Sequence, residues 1–277
     1  MIKTLVAATS VAALSVVAMP AAAQDWSGFY IGGQAGYLKS SGDDGERILF
    51  DTNLDGTYND TVRTGAGVDA FSPGFCGGTA NGNNAGAGCS GDDDGAGEWG
   101  VRAGYDMHAS GGWVLGVVGE WSSTNVKDAV TGFSTTPASY TFQREMTSVA
   151  AIRARLGYAM DTWLPYVTAG YARAQVDETY STSNTANSFT PTSRDTDADG
   201  FQIGGGLEKK LTDRFTVGVE YLYSDLDVND ALVVRTGPGT APATNPFLIV
   251  NPQGTNQIRS SDSIELHSFR VTAAFRF

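Results

Sequence analysis

RFTVGVEYLYS, residues 214–224, alternates large apolar side chains with small or polar ones at every second position. A period of two is typical of a β-strand whose two faces meet different surroundings. One face has Phe, Val, Val, Tyr and Tyr, and the other has Thr, Gly, Glu and Ser, with Leu222 as the exception. A soluble barrel would bury the apolar face, whereas small residues and single charges suit a narrow lumen. The segment therefore predicts a strand of a membrane-spanning barrel that turns its apolar face outward.

Seven other segments have the same alternation, each of about ten residues or slightly more, enough to cross a bilayer at a tilt near 45°. The eight predicted strands are 29–38, 99–108, 113–122, 148–160, 163–176, 200–211, 214–224 and 264–277. In strand 163–176 neither register suits both Arg173 and the apolar residues. Tight turns alternate with long polar connections at 39–98, 123–147, 177–199 and 225–263. The fold prediction is all-β: an eight-stranded antiparallel up-and-down transmembrane β-barrel with long extracellular loops.

Composition and charge narrow the function classes. The 277 residues include 35 Gly, with 10% aromatic and 17% charged residues, which suits strands and turns. A net charge of −12 argues against a nucleic-acid partner, because phosphate contact requires a basic surface. Two Cys and two His exclude a multi-cysteine zinc site and leave little room for histidine-based metal chemistry.

The first 23 residues have the layout of a cleaved secretory signal peptide. Lys3 precedes an apolar stretch at 5–17, and Ala21, Ala22 and Ala23 form a small-residue cleavage site before Gln24. The stretch is shorter than the ~20 residues of a membrane-spanning helix. We therefore expect residues 24–277 to be the exported barrel domain.

Aromatic residues gather at both ends of the predicted strands, as expected for the two interfaces of a membrane. Near the short turns and termini are Trp26, Phe29, Trp113, Trp163, Phe215, Phe275 and Phe277. Near the long loops are Tyr37, Trp99, Trp121, Phe201, Tyr221 and Tyr223.

The polar strand faces predict a charged lumen. Alternation turns ten charged residues inward: Arg102, Asp106, Glu120, Arg153, Arg155, Glu208, Lys210, Glu220, Arg270 and Arg276. Enclosed charges must pair, because desolvation costs several kcal/mol per ion. The predicted network joins Glu120 and Glu220 to Arg153, Arg155 and Arg270. Since side chains about fill an eight-stranded barrel, we expect this lumen to be plugged.

The first long loop contains two candidate sites. Cys76 and Cys89 flank a glycine-rich stretch, and an oxidising compartment favours a disulfide between them. Asp51, Asn53 and Asp55, followed by a glycine, have the spacing that opens a calcium-binding loop. Val62 stands where the closing Glu belongs, and DTDADG at 195–200 repeats only the opening. Calcium binding and an ordinary acidic turn therefore both remain open.

The same loop is strongly acidic, with eleven acidic and three basic residues in 39–98. These carboxylates serve solubility, attract a basic partner, or join lipopolysaccharide phosphates through divalent cations. The residues alone do not separate these roles.

Several strand sequences resemble a known family. WSGFYIGGQAGY (26–37), VRAGYD (101–106), RARLGY (153–158), PYVTAGY (165–171) and HSFRVTAAFRF (267–277) resemble alphaproteobacterial 25- and 31-kilodalton outer-membrane proteins and related opacity-type, porin-family barrels. The resemblance implies a Gram-negative outer-membrane barrel. It also implies that Phe269, Phe275 and Phe277 form the signal read by the outer-membrane assembly machinery. The long first loop departs from the family, so the loop functions of relatives do not transfer.

We expect a structural or surface-interaction role in the cell envelope and no enzymatic activity. A narrow porin-like channel for small solutes is the first alternative. A lipid-modifying enzyme using Ser263, Glu265 and His267 is the second. Residues two apart on a strand lie about 6.6 Å apart, beyond hydrogen-bond reach, which disfavours that triad. The sequence gives no indication of the oligomeric state.

Overall fold

A computed structural model describes residues 25–41, 45–91, 95–192 and 195–277. The predicted signal peptide lies outside the described residues. Eight long strands form the barrel: β1 Gly28–Ser41, β2 Ala96–His108, β3 Trp113–Ser134, β4 Ala138–Tyr158, β5 Trp163–Thr182, β6 Asp195–Lys210, β7 Phe215–Val228 and β8 Ser263–Arg276. Each strand pairs antiparallel with its chain neighbours, which confirms the predicted all-β barrel.

The ring closes between the first and last strands. β1 pairs with β8 from Tyr30 opposite Arg276 to Ser41 opposite Glu265, and its other edge pairs with β2. Closure satisfies the edge hydrogen bonds that an open sheet leaves exposed. Two three-residue 3-10 helices, Ala85–Ala87 and Ser110–Gly112, lie in the connections. Across the four described ranges, no helix is both long and apolar enough to cross a membrane.

Several strands extend beyond their predicted ends, and the predicted loop 123–147 is wrong. β3 continues to Ser134 and β4 begins at Ala138, so this segment is a tall hairpin with a three-residue turn. Residues 195–199 of the DTDADG segment, predicted as part of a loop, are the start of β6. Sequence alternation weakens in these extensions because their two faces exchange polarity.

That exchange is clearest along β7. In its first half Val217 and Val219 point outward and Glu220 points inward; in its second half Asp225 and Asp227 point outward. The inward residues of the second half are Leu226 and Val228. The strands are longer than the ~9–11 residues that cross a bilayer, so their second halves project beyond it. The switch also explains Leu222, which points inward next to that transition.

The same switch fixes the register of β5, which the sequence left open. Trp163, Val167 and Tyr171 point outward along its first half, and Arg173 continues the same face. Arg173 therefore lies above the outward aromatic residues rather than among them.

The long connections fold into a cap on the projecting hairpins. Its sheet has the order Ser188–Pro191, Val234–Gly237, Thr255–Arg259 and Ile48–Asp51. Gly74–Gly77 adds to the edge of β3, and Thr79–Ala80 pairs with Cys89–Ser90. The sequence predicted only polar loops here, because the cap residues that meet in space are far apart along the chain.

Candidate functional site

The barrel interior begins, at the short-turn end, with a layer of charges around Asp106 and Glu208. Arg155 Nη1 lies 2.8 Å from Glu208 Oε1, and Arg155 Nε lies 3.4 Å from Asp106 Oδ1. Arg276 Nη2 lies 2.5 Å from Asp106 Oδ2 and 3.4 Å from Glu208 Oε2. Each carboxylate is therefore held between the same two guanidiniums, and all four side chains are buried.

Aromatic rings seal the bottom of this first layer. Trp26 is fully buried, with Lys210 Nζ 4.8 Å and the Arg276 guanidinium 5.0 Å from its ring centroid. Arg276 also donates to the Trp26 carbonyl at 2.7 Å. Stacking over an aromatic face stabilises a cation that has lost its water. The prediction that Trp26 belongs to the outward aromatic belt is therefore wrong.

A second charged layer surrounds Glu120 and Glu220. Arg153 binds Glu120 through two contacts of 2.8 Å, and Arg270 contacts Glu120 at 2.7 Å and Glu220 at 2.9 Å. Arg102 lies 3.2 Å from Glu220. Paired guanidinium–carboxylate contacts are among the strongest hydrogen bonds in proteins. The three guanidiniums thus share two carboxylates at the centre of the lumen.

The second layer differs from the predicted network in three members, because Arg102 stands where Arg155 was predicted and Glu98 is added. Arg155 was expected to meet Glu120 and Glu220, but it lies in the first layer. Alternation assigns a side chain to a face but not to a level, and here the barrel's stagger sets the level. Glu98, which the lumen prediction omitted, lies 3.9 Å from Arg270 and hydrogen-bonds with Ser268. Glu98 directly precedes the predicted strand 99–108 and continues its inward face with Gly100 and Arg102, which was the missed signal.

Small residues let these side chains meet. At Gly116, on the inward face of β3, an added Cβ would overlap the Asp106 carboxylate and approach Arg155 Cγ to 2.9 Å. At Gly36 an added Cβ would lie 2.7 Å from Arg270 Cα. Glycines therefore leave room for the long charged side chains next to them, and the lumen is tightly filled at these positions.

Above the second layer the interior becomes apolar. Its buried members are Leu38, Val126, Met146, Val149, Ala151, Ala172, Ala174, Val176, Ala198, Leu226, Val228, Ile264 and Leu266. The sequence did not predict this apolar layer as a unit. Eight of its members lie near the cap-side ends of predicted strands, and five lie beyond them: Val126, Met146, Ala198, Leu226 and Val228. The layer lies in the projecting part of the barrel, where water surrounds the outer face and the hydrophobic effect again favours apolar residues inside.

A third set of charges lies between the apolar layer and the cap. Arg259, from the cap sheet, contacts Glu46 at 2.6 Å and also pairs with Asp128. Arg144 pairs with Glu178 at 2.6 Å. Burial raises the pKa of Glu46, and the attraction of Arg259 only partly offsets this effect. The Arg259–Asp128 pair ties the cap sheet to the tall hairpin, and the Arg144–Glu178 pair joins β4 to β5 beneath it.

The cap has an aromatic core around Phe71. Its ring centroid lies 4.4 Å from that of Phe50, 5.2 Å from Tyr140 and 5.9 Å from Phe247. Val62 is also buried in this core, which explains why the closing position of the calcium pattern has an apolar residue. The first long loop therefore shares one aromatic core with the β3–β4 hairpin and the last long connection.

The residues of the proposed calcium loop support a turn. The Asp51 carboxylate accepts the backbone N–H groups of Asp55 at 3.1 Å and Gly56 at 3.2 Å. The Asp55 carboxylate accepts hydrogen bonds from the hydroxyl and the backbone N–H of Thr57, and these bonds lower the pKa of the Asp55 carboxyl. Within the described ranges, no group of three or more His, Cys, Asp or Glu side chains is arranged to hold a metal. These bonds occupy oxygens that a cation would need, and calcium binding stays a prediction.

The two cysteines form the predicted disulfide. Cys76 and Cys89 are bonded, with their Cα atoms 6.1 Å apart. Cys76 lies opposite Thr131 on β3, and Cys89 lies in the small hairpin beyond it. The bond therefore fastens the glycine-rich part of the first loop to the tall β3–β4 hairpin.

The residues of the enzymatic alternative lie on the outer wall. His267 Nδ1 is 2.7 Å from the Tyr221 hydroxyl, and the ring stacks beside Tyr221 and Tyr223. Ser263 and Glu265 lie on the same strand face, nearer the cap, at the start of β8. The near partner of His267 is thus a tyrosine.

The outward face carries two rings of aromatic side chains. The ring at the short-turn end contains Phe29, Trp113, Trp163, Phe215, Phe275 and Phe277, and the ring nearer the cap contains Tyr37, Trp99, Trp121, Phe201, Tyr221 and Tyr223. We call these the lower and upper girdles. Phe269, Phe275 and Phe277 of the predicted assembly signal all point outward, with Phe277 76% exposed.

The comparisons agree with this architecture. A family model described as outer membrane protein beta-barrel domain matches residues 9–277. The 31 kDa outer-membrane immunogenic proteins of Brucella melitensis and Brucella suis are each 33% identical over 131 residues, covering 46% of this chain and 52% of the relative. The chain thus spans about half the length of the curated relatives it matches.

Two solved outer-membrane proteins are weakly similar to this chain. OprG from Pseudomonas aeruginosa has a TM-score of 0.48 at 13% identity, covering 91% of this chain and 97% of OprG. Ail of Yersinia pestis, in complex with a heparin analogue, has a TM-score of 0.35 at 11% identity, covering 90% of this chain and 99% of Ail.

Proposed function

Since this chain belongs to the outer membrane protein β-barrel family, we propose that it is a structural and surface-interaction protein of the Gram-negative outer membrane. The barrel anchors a folded acidic cap outside the cell and does not conduct solutes. The predicted signal peptide exports it, and the assembly machinery reads its last strand. The observation that supports this role is the filled interior, which has two ion-paired layers, an apolar layer and a cap in series.

The filled interior argues against the porin-like alternative. A solute crossing the barrel would have to separate Arg153 from Glu120 and Arg270 from Glu220, and then pass the apolar layer. Breaking a buried ion pair leaves an uncompensated charge, which typically costs about 3–5 kcal/mol. A tightly packed interior of this kind favours the role of a membrane anchor over that of a solute channel.

Planar-bilayer recording tests this role. The refolded mature protein should give no steady single-channel steps, and Arg270→Ala should lower the urea midpoint of unfolding without producing a steady current. Arg173→Ala is a matched control, because Arg173 lies outward and is 57% exposed. Steady, sizeable steps from the unmodified protein would overturn the proposal and favour the pore.

The surface-interaction part rests on acidic residues above the upper girdle. Asp199 lies opposite Asp227, and Asp225 lies opposite Glu265, in directly paired positions of neighbouring strands. Like charges at paired positions repel. We infer that divalent cations relieve this repulsion by joining the carboxylates to lipopolysaccharide phosphates at the same height.

Reconstitution tests the cation link. Magnesium should raise the unfolding temperature of the barrel in lipopolysaccharide-containing vesicles more than in phospholipid vesicles, and EDTA should reverse the increment. The double variant Asp225→Asn, Asp227→Asn should lose most of that increment, while Asp213→Asn, in a short turn at the opposite end, should keep it. An equal magnesium effect in both vesicles would refute the link to lipopolysaccharide.

A further inference from the structure

One outward cation interrupts the apolar wall of the barrel. From the lower girdle to the upper one, Lys209 is the single charged outward side chain of the described wall. Its Nζ lies 4.7 Å from the centroid of the Trp163 ring, on the neighbouring strand. Among the described residues, no carboxylate lies within 4.0 Å of it. Lys209 therefore presents an unpaired positive charge at the level of the lower girdle.

A groove climbs the wall from this lysine. Paired positions on successive strands run from Lys209 to Val217, then Ala273, then Gly33. The side chains shorten along the row, so the surface becomes concave. Strand tilt carries a row of paired residues upward as it crosses the sheet, from the girdle toward the middle of the membrane.

The groove is large and apolar. Its volume is about 710 Å³, and Leu207, Val219 and Val271 form its upper side. A second groove of about 680 Å³ shares these three residues and continues toward the upper girdle. Below, the paired large residues Ile31 and Phe275 bound the row. The two grooves together form one continuous apolar groove on the outer surface of β6, β7, β8 and β1.

We propose that this groove binds an anionic glycerophospholipid of the periplasmic leaflet. Its phosphate contacts Lys209 beside Trp163, and an acyl chain lies over Ala273 and Gly33. Charge complementarity supports this occupant, because an ammonium at the interface attracts anionic headgroups and interfacial Trp residues lie at headgroup level. The short-turn end faces the periplasm in such barrels, so the phospholipid leaflet rather than the lipopolysaccharide leaflet meets Lys209.

A second copy of the chain fits this surface less well. A two-fold symmetric contact places the same patch on both subunits. Two Lys209 side chains would then approach one another in an apolar surrounding, with no carboxylate nearby to compensate them. The cation that attracts a phosphate thus disfavours a symmetric dimer through the same groove.

Native mass spectrometry of the refolded protein tests the proposal. The protein is released from mixed micelles containing equal amounts of phosphatidylglycerol and phosphatidylcholine. We expect adducts to favour phosphatidylglycerol by about fivefold, the effect of one interfacial lysine. Lys209→Gln should abolish the preference, whereas Lys39→Gln, an outward lysine above the upper girdle, should leave it intact.

A second variant separates the headgroup from the groove. Ala273→Phe fills the concave row and should reduce adducts of both lipids, with the retained β-sheet spectrum as the folding control. Equal retention of the two lipids by the unmodified protein would overturn the proposal, as would an unchanged preference in Lys209→Gln. A dimer that displaces lipid in the unmodified protein would assign the groove to a second copy and also overturn it.

Discussion

The two halves of the barrel use the same strands with opposite polarity. In the half between the girdles, valines and aromatics point outward and ion pairs such as Glu220–Arg270 fill the interior. In the projecting half, acids such as Asp227 point outward and Leu226 and its neighbours fill the interior. The surrounding solvent decides which arrangement is stable: lipid accepts apolar side chains, whereas water rewards their burial.

The two kinds of core also respond differently to damage. In the ion-paired core, one deletion leaves several charges without a partner in a medium that water cannot reach. In the apolar core, a deletion leaves a cavity whose cost depends on how far its walls relax. Substitutions in each half therefore test the comparison directly.

The largest effect is expected for Glu220→Ala. Its carboxylate is shared by Arg102, Arg153 and Arg270, and it accepts the Tyr166 hydroxyl at 2.8 Å. Removing it should lower the free energy of unfolding by about 3–5 kcal/mol, measured by urea titration in lipid vesicles. Glu265→Ala removes an outward carboxylate and should have little effect. Equal losses in the two variants would contradict the ion-paired core.

Phe71→Ala should be the next largest, and it should act on the cap alone. The substitution removes the ring at the centre of the aromatic core, a change of about 3–5 kcal/mol for a buried Phe. Because the aromatic core lies outside the barrel half between the girdles, the loss of stability should appear as faster hydrogen exchange in the cap sheet. Hydrogen exchange in the barrel strands between the girdles should stay unchanged. Val68→Ala is the control, since Val68 is exposed. Faster exchange throughout the barrel would show that the two regions unfold together.

Loss of the disulfide should have a smaller effect. Cys76→Ser with Cys89→Ser opens a loop with a sequence separation of 13, for which chain entropy predicts up to about 3 kcal/mol. The glycine-rich hairpin should become sensitive to protease, while the unfolding midpoint of the barrel stays the same. A barrel midpoint that falls with the disulfide would contradict the separation of cap and barrel.

The smallest expected effect is a pH dependence at the base of the cap. Burial raises the pKa of Glu46 above its ordinary value of 4.5, so the folded cap binds a proton more tightly than the unfolded one. Cap stability should therefore decrease as pH rises from about 4.5 through the higher folded-state pKa. Hydrogen exchange in the cap sheet, recorded at a series of pH values, measures this change in cap stability. Glu46→Gln should remove the decrease in cap stability above about pH 4.5. An identical slope in the variant would assign the pH dependence to another group.

Alternation along the chain was sufficient for the part of the fold that lies between the girdles. Segments such as 214–224 meet lipid on one side and a packed lumen on the other, so each residue's polarity reports its face. The candidate lumen residues were predictable for the same reason. Alternation assigns all ten to the inward face, but it does not give their levels along the barrel axis. The assignment of Arg155 to the upper layer was wrong because strand stagger leaves no mark in a single strand's sequence.

The cap and the projecting half could not be predicted in this way. Phe50 and Phe71 come from the first long loop, whereas Tyr140 and Phe247 come from two segments far from it along the chain. Each alone resembles an isolated aromatic residue in a polar loop. The polarity switch at Arg173 and Asp225 also disrupted the pattern that defined the strands. Alternation identifies a strand only while each of its faces keeps the same surroundings. It therefore weakens where the outer face passes from lipid to water.

Local periodicity and residue type were sufficient to predict the closed barrel, its apolar outer wall, its charged interior and the pairing of its two cysteines. The three-dimensional fold was needed to show which charges share a level, where the walls exchange polarity and how the long connections fold over the barrel. Those features depend on strand tilt and on contacts between distant segments. They form when the ring closes, and no single segment carries the information alone.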